Sequence, residues 1–329
     1  MKRSPIRMGI LGAARIAPSA LIHPARDIAD VVVQAVSARS QDRAKAFSKK
    51  HGISTVHRTY ADLVEDREID AIYNPLPNAL HAEWTIRALK AGKHVLCEKP
   101  IASNETEARG MARVARETGN VLMEAFHYRY HPLAARMKAI LTGNTLGKVQ
   151  SYEATFLIPF LPPSDIRFDF HLGGGATMDA GCYAINMIRF LSSEEPDVVH
   201  ARAKLSGPEV DRYMTADFRF PSGATGRINC SLRAFVPLRI SIRVKGDLGT
   251  MHVINPLAPH LYNSIVVRTE HTRNRERVRG PSTYSHQLNA FARAVLDDEP
   301  FDPGVDDSIR NMKAIDSVYQ AAGLKPRGT

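Results

Sequence analysis

The chain has 329 residues and a formal net charge of +10, with 44% hydrophobic and 24% charged residues. This length and composition indicate a globular protein with room for two domains and a full core. Its three cysteines, Cys97, Cys182 and Cys230, are far apart, so they predict no disulfide framework or metal site and favour a reducing compartment. The sequence has no apolar run near the roughly 20 residues of a membrane helix.

The positive charge is spread along the second half of the chain, where arginines alternate with apolar residues and the run RNRERVR occupies 273–279. Such charge can serve nucleic acid, a membrane surface or an anionic ligand. Few aromatic residues are interleaved with these arginines. The pattern therefore predicts a solvated or subunit-facing sheet surface, and neither nucleic acid nor membrane as a partner.

The first 125 residues alternate short apolar runs with helix-length amphipathic stretches. Strands are predicted over 7–13, 31–37, 70–76, 94–98 and 121–126, and helices over 41–52, 79–92 and 104–119. Each of these helical stretches ends at glycine, a common C-terminal stop. Strands rich in Val and Ile alternating with helices predict a doubly wound parallel sheet of the Rossmann type. Ligands of such sheets lie beyond the carboxyl ends of the strands.

The pattern changes after Gly147, where mostly alternating strands follow one another. They are predicted over 148–158, 197–205, 212–220, 224–232, 239–246 and 264–270, with helices over 176–191, 284–297 and 305–322. This order predicts an α+β domain with a large, mostly antiparallel open sheet. We place the boundary near residue 125: a dinucleotide-binding α/β domain over 1–125, and a substrate-binding and oligomerisation domain over 126–329.

The stretch GILGAARIA is a degenerate dinucleotide fingerprint after the first strand. Gly12 makes the tight turn, Ala14 stands where a second glycine lets the backbone approach a pyrophosphate, and Ala17 permits close packing of helix on strand. The intervening Ala13, Arg15 and Ile16 complete the predicted phosphate-binding turn. Similar strand–turn–helix patterns also arise from packing alone, but the position at the first strand favours a cofactor.

The end of the second predicted strand indicates which dinucleotide is bound. NAD enzymes usually carry an acid there for the ribose hydroxyls, whereas this chain has Ser37, Ala38 and Arg39. A 2′-phosphate suits Ser37 and Arg39, with Arg43 one turn further on. The alternative is that both arginines are solvated surface residues. We predict NADP in preference to NAD.

Two stretches carry polar residues where packing alone would not need them. HVLCEKP places Lys99 at the carboxyl end of a buried strand, and DIRFDFHLGGGATMDAGCYAINMI (165–188) places Gly173–Gly175 before a helix. The glycines permit close backbone approach and unusual dihedral angles. Asp179 and Tyr183, four residues apart, are predicted to share a helix face near Asn186. A buried face of this kind requires polar partners, which indicates a pocket.

Together, GILGAARIA, PNALH (77–81), EKP (98–100) and GGGATMDAGCY (173–183) resemble the glucose–fructose oxidoreductase and inositol dehydrogenase family, in order and along nearly the whole chain. Tyr183 stands where inositol dehydrogenases carry His. The chain is therefore more similar to the branch that includes dimeric dihydrodiol dehydrogenase and NADP-dependent xylose dehydrogenase.

The resemblance implies specific roles. Lys99 is the catalytic lysine, with a cis bond to Pro100; Tyr183 is the acid–base residue and Asp179 supports it. The implied cofactor contacts are Leu76, Pro77, Asn78, His81, Glu98, Lys99, Arg167 and Tyr284. The implied reaction moves a hydride between NADP and a secondary alcohol, carbonyl or hemiacetal of a sugar, cyclic polyol or trans-dihydrodiol, in a pocket between the two domains.

Several alternatives stay open at this point. One is a sugar ketoreductase in a biosynthetic pathway, and another is a non-catalytic NADP-binding transcriptional regulator of the same fold. Glu124, His127 and His131 could suggest a metal site, but Pro132 argues against a shared helix face, so we predict no metal. We expect a homodimer or homotetramer formed through the C-terminal sheet. A cytoplasmic location is expected because the fingerprint begins at residue 9.

Overall fold

The computed structural model describes residues 4–159, 161–162 and 164–329, and these residues form two compact units. The first unit extends to Ala102 and adds Thr106–His127 and Tyr284–Ile309. The second comprises Ser103–Glu105, Tyr128–Thr283 and Arg310–Thr329. The units therefore do not divide the chain at one point, because Tyr284–Ile309 returns to the first. The single boundary near residue 125 stays a prediction.

The first unit is built on a fully parallel sheet, as the alternation of strands and helices predicts. The sheet has the order β3-β2-β1-β4-β5-β6. Because the strand order reverses between β1 and β4, the loops after these strands flank the usual ligand position. The strands are β1 Ile6–Leu11, β2 Val31–Ser37, β3 Thr55–His57, β4 Ala71–Asn74, β5 His94–Cys97 and β6 Leu122–Glu124.

The helices of the first half begin and end where local chemistry permits. The helix α2 starts at an N-cap, Ser40, whose hydroxyl accepts from the Arg43 amide, and stops at Gly52 with φ of 72°. Helix α3 starts with a capping box formed by Thr59 and Asp62. The bounds are α1 His23–Arg26, which continues a π-helical turn Pro18–Ile22, then α2 Gln41–His51, α3 Tyr60–Glu65, α4 His81–Lys90 and α5 Glu105–Thr118.

The second unit contains an eight-stranded sheet of order β14-β13-β12-β11-β7-β10-β9-β8, in which the β7–β10 pair is parallel and the other pairs are antiparallel. This confirms the predicted mostly antiparallel sheet. The strands are β7 Val149–Pro159, β8 Asp197–Ser206, β9 Val210–Arg219, β10 Thr225–Ala234, β11 Arg239–Gly246, β12 Gly249–Ile254, β13 Ser264–Thr269 and β14 Arg273–Glu276. The helices that follow α5 are α6 Pro132–Thr142, α7 Cys182–Ser192, α8 Thr283–Asp297 and α9 Val305–Ala321.

The two faces of this sheet differ in polarity. On β10 and β11, Ile228 and Ile242 are buried, and α7 packs against β7 and β10. The alternate residues Arg227, Glu153 and Arg243 are exposed and lie opposite one another across three neighbouring strands. The face predicted to be solvated or subunit-facing is thus rich in charge. Assembly through it stays a prediction, as does the cytoplasmic location; among the described helices, none is long and apolar enough to cross a bilayer.

Candidate active site

The turn after β1 fits the role predicted for the fingerprint. Gly12 has φ of 90°, and its N–H donates to the Ser37 carbonyl over 2.6 Å. A Cβ on Gly12 would lie 3.2 Å from Leu76 Cδ2, so both dihedral angle and space favour glycine. Ala17 is fully buried, as close helix packing requires. The remaining residues of the turn leave it accessible to a ligand: Ala13 and Ala14 are half-buried, and Arg15 and Ile16 are exposed.

A group of cations lies beside this turn, at the carboxyl end of β2. Arg39 and Arg43 are exposed at the start of α2, and Arg43 Nη2 donates to the Ala13 carbonyl over 3.4 Å. Burial raises the pKa of the nearby Tyr60 phenol, while both arginines oppose that shift. The Ser37 hydroxyl is buried and has no hydrogen-bond partner among the described residues. Two cations and an unpaired hydroxyl suit a phosphate group.

Buried neutral groups shape the loop after β4. The Asn74 amide donates to Thr85 Oγ1 over 3.1 Å, and its oxygen accepts from the Leu76 N–H over 3.4 Å. The ring of His81 is 0% exposed and lies between two carbonyls, with Nε2 2.8 Å from Leu76 and Nδ1 2.9 Å from Pro100. Burial lowers the pKa of His81 to about 4, and the Lys99 charge acts in the same direction. His81 therefore joins the 76–78 loop, which includes the half-buried Pro77 and Asn78, to the segment after β5.

Hydrogen bonds anchor both the main chain and the Glu98 side chain of the EKP segment, which follows β5. The Lys99–Pro100 bond is cis, which confirms that prediction. The Glu98 N–H donates to the Asn74 carbonyl over 3.0 Å, and Glu98 Oε1 accepts from the Tyr73 hydroxyl over 2.6 Å. Lys99 is half-buried at the carboxyl edge of the parallel sheet, the edge where such folds bind ligands.

Tyr284 belongs to the same unit as Lys99, although it lies far along the chain. Its ring packs against His127 with centroids 4.2 Å apart. Burial raises the pKa of Tyr284, and the Glu98 charge adds to this shift, which places the phenol in the electrostatic environment of the EKP segment. The metal alternative gains no support, because Glu124 accepts from the Ile101 N–H and His131 caps α6; no metal-binding cluster occurs among the described residues.

The second unit carries the remaining predicted site residues. Arg167 Nε donates to Asp179 Oδ2 over 2.9 Å, and the Asp179 charge is the main cause that raises the pKa of Arg167. Gly174 packs closely against the main chain of Arg167, because a Cβ on Gly174 would lie 2.5 Å from the Arg167 carbonyl oxygen. Gly175 has a φ of 138°. The predicted close approach and unusual dihedral angles of this loop are confirmed.

The helix that follows differs from the expected regular one. Asp179 lies in a π-helical turn, Thr177–Gly181, and Tyr183 lies in α7. The prediction that Asp179 and Tyr183 share a face rested on α-helical spacing, which does not apply across a turn with i→i+5 bonds. Tyr183 is 7% exposed, and its ring lies beside Phe156 and Tyr128, with centroids 5.8 and 6.2 Å away. The buried Asn186 accepts from the Tyr128 hydroxyl over 2.6 Å, so its polar group is satisfied as expected.

Several residues that shape these loops were not predicted from the sequence. Asn74 could have been predicted, because it ends a buried strand, where an amide side chain needs hydrogen-bond partners. Tyr60, Tyr73 and Tyr128 carry no distinguishing pattern in the sequence. The three cysteines are buried, and burial raises the pKa of Cys97 and Cys230 well above the ordinary value, which agrees with a packing role for these two thiols.

A parallel doubly wound sheet with a glycine turn, adjacent cations and a lysine at its carboxyl edge is typical of a dinucleotide-dependent oxidoreductase. Two family models match the chain: "Oxidoreductase family, NAD-binding Rossmann fold" over residues 6–126 and "GFO/IDH/MocA C-terminal domain" over residues 134–252. The chain belongs to the GFO/IDH/MocA family of oxidoreductases, which confirms the resemblance.

Characterised relatives cover nearly the whole chain. The chain is 36% identical over 323 residues to D-xylose 1-dehydrogenase (NADP(+)) 2 of Haloferax volcanii. The match covers 95% of this chain and 96% of the xylose dehydrogenase. The chain is 33% identical over 326 residues to dTDP-3,4-didehydro-2,6-dideoxy-alpha-D-glucose 3-reductase of Actinomadura kijaniata, covering 97% and 96%. A crystal structure of a 3-ketoreductase from Actinomadura kijaniata with NADP and TDP-benzene is similar, with a TM-score of 0.91, 30% identity and 98% of each chain covered.

Proposed function

We propose that this protein is an NADP-dependent oxidoreductase that transfers a hydride between the nicotinamide and a CH–OH or carbonyl carbon of a sugar, cyclic polyol or trans-dihydrodiol. The observation that carries the proposal is the anchored EKP segment, with Lys99 at the ligand-binding edge of the sheet. Relatives named as a xylose dehydrogenase, a dihydrobenzenediol dehydrogenase and a ketosugar reductase support the substrate class.

The cofactor supplies a site that gives or takes a hydride, and the chain must supply the proton chemistry. We assign that chemistry to Lys99 and Tyr183, because an ammonium stabilises charge on a substrate oxygen and a phenol exchanges a proton with it. Structures have been solved of lysine and tyrosine variants of the related 3-ketoreductase. The two replaced residues are as far apart along that chain as Lys99 and Tyr183 are here.

The other predicted residues have supporting parts in this proposal. Arg39 and Arg43 bind the 2′-phosphate, and the Gly12 turn receives the pyrophosphate. The His81 ring packs between the Leu76 and Pro100 carbonyls and, when neutral, donates to one of them, so it positions Lys99 from a buried site. The Arg167–Asp179 pair fixes the chain beside the helix that carries Tyr183.

A substrate screen tests the proposal. The protein is mixed with NADP and, separately, with D-xylose, other aldoses, inositols and trans-dihydrodiols, and NADPH formation is followed by its absorbance. The proposal expects turnover with at least one member of the panel and much slower turnover with NAD. Tight NADP binding without turnover on any substrate, in either direction, would instead support the regulator alternative.

A second candidate is reduction of a nucleotide-linked ketosugar. It is favoured by the TM-score of 0.91 to the 3-ketoreductase structure that holds TDP-benzene. The two candidates separate in a competition assay, because a nucleotide-sugar enzyme should be inhibited by free dTDP at micromolar concentration. An aldose or diol dehydrogenase should not respond to dTDP at that concentration.

A further inference from the structure

The second unit contains an ion pair that is completely shielded from solvent. Arg327, which follows α9, places Nη2 2.9 Å from Asp211 Oδ1, and both side chains are 0% exposed. The Tyr319 hydroxyl donates to the same oxygen over 2.9 Å, while the Thr177 N–H and hydroxyl each donate to Oδ2 over 2.7 Å. A buried carboxylate is costly unless it is paired and fully hydrogen-bonded, and Asp211 meets both conditions.

The same guanidinium holds the glycine loop. Arg327 Nε donates to the Gly174 carbonyl over 2.7 Å. A Cβ on Gly175 would lie 2.2 Å from Asp211 Oδ1 and 3.0 Å from Arg327 Nη2. The loop therefore lies directly against the ion pair, and residues 174–177 are fixed by Arg327 at one end and by Asp211 at the other.

The loop held in this way is bonded to the segments that carry the site residues of the second unit. The Gly175 N–H donates to the Arg167 carbonyl over 2.8 Å, and the Gly175 carbonyl accepts from the Asp179 N–H over 3.0 Å. The π-helical turn that contains Asp179 continues into α7, which carries Tyr183. A shift of the loop would therefore move Arg167, Asp179 and Tyr183 together.

The main chain of Arg327 reaches a second relevant segment. Asn104 Nδ2 donates to the Arg327 carbonyl over 2.8 Å. Asn104 lies in Ser103–Glu105, the short stretch of the second unit that follows the Lys99–Pro100 bond along the chain. Arg327 thus holds both the loop before Tyr183 and Asn104, which lies five residues after Lys99 along the chain.

We propose that Arg327 is a positioning residue for the active site: its side chain sets the Gly174–Thr177 loop, which leads into the helix that carries Tyr183, and its carbonyl anchors Asn104 in the segment that follows Lys99. The inference rests on the proposed function, because it assigns Arg327 an effect on proton transfer through Tyr183 and Lys99. Arg327 itself contacts neither the substrate nor the cofactor in this assignment.

The test compares Arg327→Lys, Arg327→Ala and the matched surface variant Arg279→Ala in the full-length protein. Arg327→Lys keeps a charge but cannot make both guanidinium contacts. We expect kcat with the best substrate of the screen to fall roughly 100-fold, as for a displaced catalytic group, while KM for NADPH changes less than about twofold. Arg279→Ala, at an exposed site, should leave both values unchanged.

Two further readouts separate positioning from general damage. Millimolar guanidinium chloride should restore part of the kcat of Arg327→Ala, because the ion can occupy the vacated space, whereas urea at the same concentration should not. Hydrogen–deuterium exchange should increase in the peptide 165–188 of both Arg327 variants and stay unchanged in 6–37. This second readout needs no turnover, so it remains informative if the wild-type protein proves inactive and the proposed function fails.

A kcat within about threefold of wild type in Arg327→Lys, or unchanged exchange over 165–188, would overturn the inference. If neither Arg327 variant folds, the variant Tyr319→Phe provides the test, because it removes only the one hydroxyl that Tyr319 donates to Asp211. A fall of about fivefold or more in kcat with normal NADPH binding then supports the inference, and a kcat within about twofold of wild type rejects it.

Discussion

The two units hold their polar site residues by different means. In the first, neutral groups close in sequence fix the loop after β4 and connect it to the segment after β5: Asn74 contacts Thr85, and His81 contacts Leu76 and Pro100. In the second, the loop before α7 is fixed by a buried ion pair, Asp211 with Arg327, whose members are 116 residues apart. The difference separates what local sequence encodes from what only the folded chain brings together.

The two kinds of contact differ in their contribution to stability. A buried hydrogen bond between neutral groups contributes on the order of 1 kcal/mol to the free energy of unfolding. A buried charge that loses its partner is far more costly, about 3–5 kcal/mol. We therefore expect loss of the ion pair to lower the stability of the protein more than loss of any one neutral contact in the first unit.

The largest expected effect is the loss of turnover in the variant Lys99→Met. Removing the ammonium should lower kcat roughly 10³-fold, because acid–base and electrostatic assistance are both lost. NADPH binding, measured by nicotinamide fluorescence, should change less than about threefold. The matched control is Lys90→Met, at an exposed position of α4; a Lys99 variant as active as this control would remove the lysine from the mechanism.

The next effect is on stability, from Asp211→Asn. The substitution keeps the shape but leaves the Arg327 guanidinium buried without a counter-charge, so the free energy of unfolding should fall by about 3–5 kcal/mol. The control is Asp217→Asn, which breaks the half-exposed pair with Arg227 and should cost at most about 1 kcal/mol. Equal losses in urea unfolding would show that burial does not distinguish the two pairs.

A smaller effect concerns pH and the buried His81. Its pKa is lowered from 6.5 to about 4 in the fold, so the unfolded chain binds the extra proton first as the pH falls. Stability from the neutral ring is present above pH 6.5 and is lost as the pH falls toward 4; between pH 7 and pH 5 this loss is about 2 kcal/mol. His81→Gln should have a flatter pH dependence of unfolding in that range, and an unchanged slope would contradict the assignment.

The smallest effect concerns cofactor choice, from Arg39→Ala. Loss of one charge-assisted contact with the 2′-phosphate should raise KM for NADPH about tenfold. KM for NADH, which lacks that phosphate, should not change. Arg58→Ala, an exposed arginine in the same unit, is the control. A parallel loss with both cofactors would mean that Arg39 acts on the fold and not on the phosphate.

The sequence predicted most of the first unit, because its signals are local. The run VVVQAVS forms β2 over the predicted residues, and the Gly12 turn and the start of α2 follow their motifs. The strands β3, β12 and β14 were not predicted. Of the two edge strands among them, β3 has three residues, and β14, RNRE, carries no apolar alternation. A short or charged edge strand is held by pairing with its neighbour, which periodicity does not record.

The site of the second unit was less predictable for a physical reason. The structure places the predicted residues Arg167 and Asp179 in this unit. Their direct pairing and the π-helical turn, however, depend on packing against β9 and the segment after α9. Nothing near Asp211 or Arg327 in the sequence marks either residue as buried. Long-range ion pairs of this kind become visible only when the strands and the closing segment are placed together.

The proposed function requires Lys99 and Tyr183 to cooperate in proton transfer. A double-mutant cycle on kcat with Lys99→Met, Tyr183→Phe and the combined variant tests it most directly, using the best substrate of the screen. Residues that act as a unit are strongly non-additive, so the combined variant should be no slower than the slower single variant by more than about threefold. If the two losses in activation free energy simply add, the residues act independently and the account is contradicted.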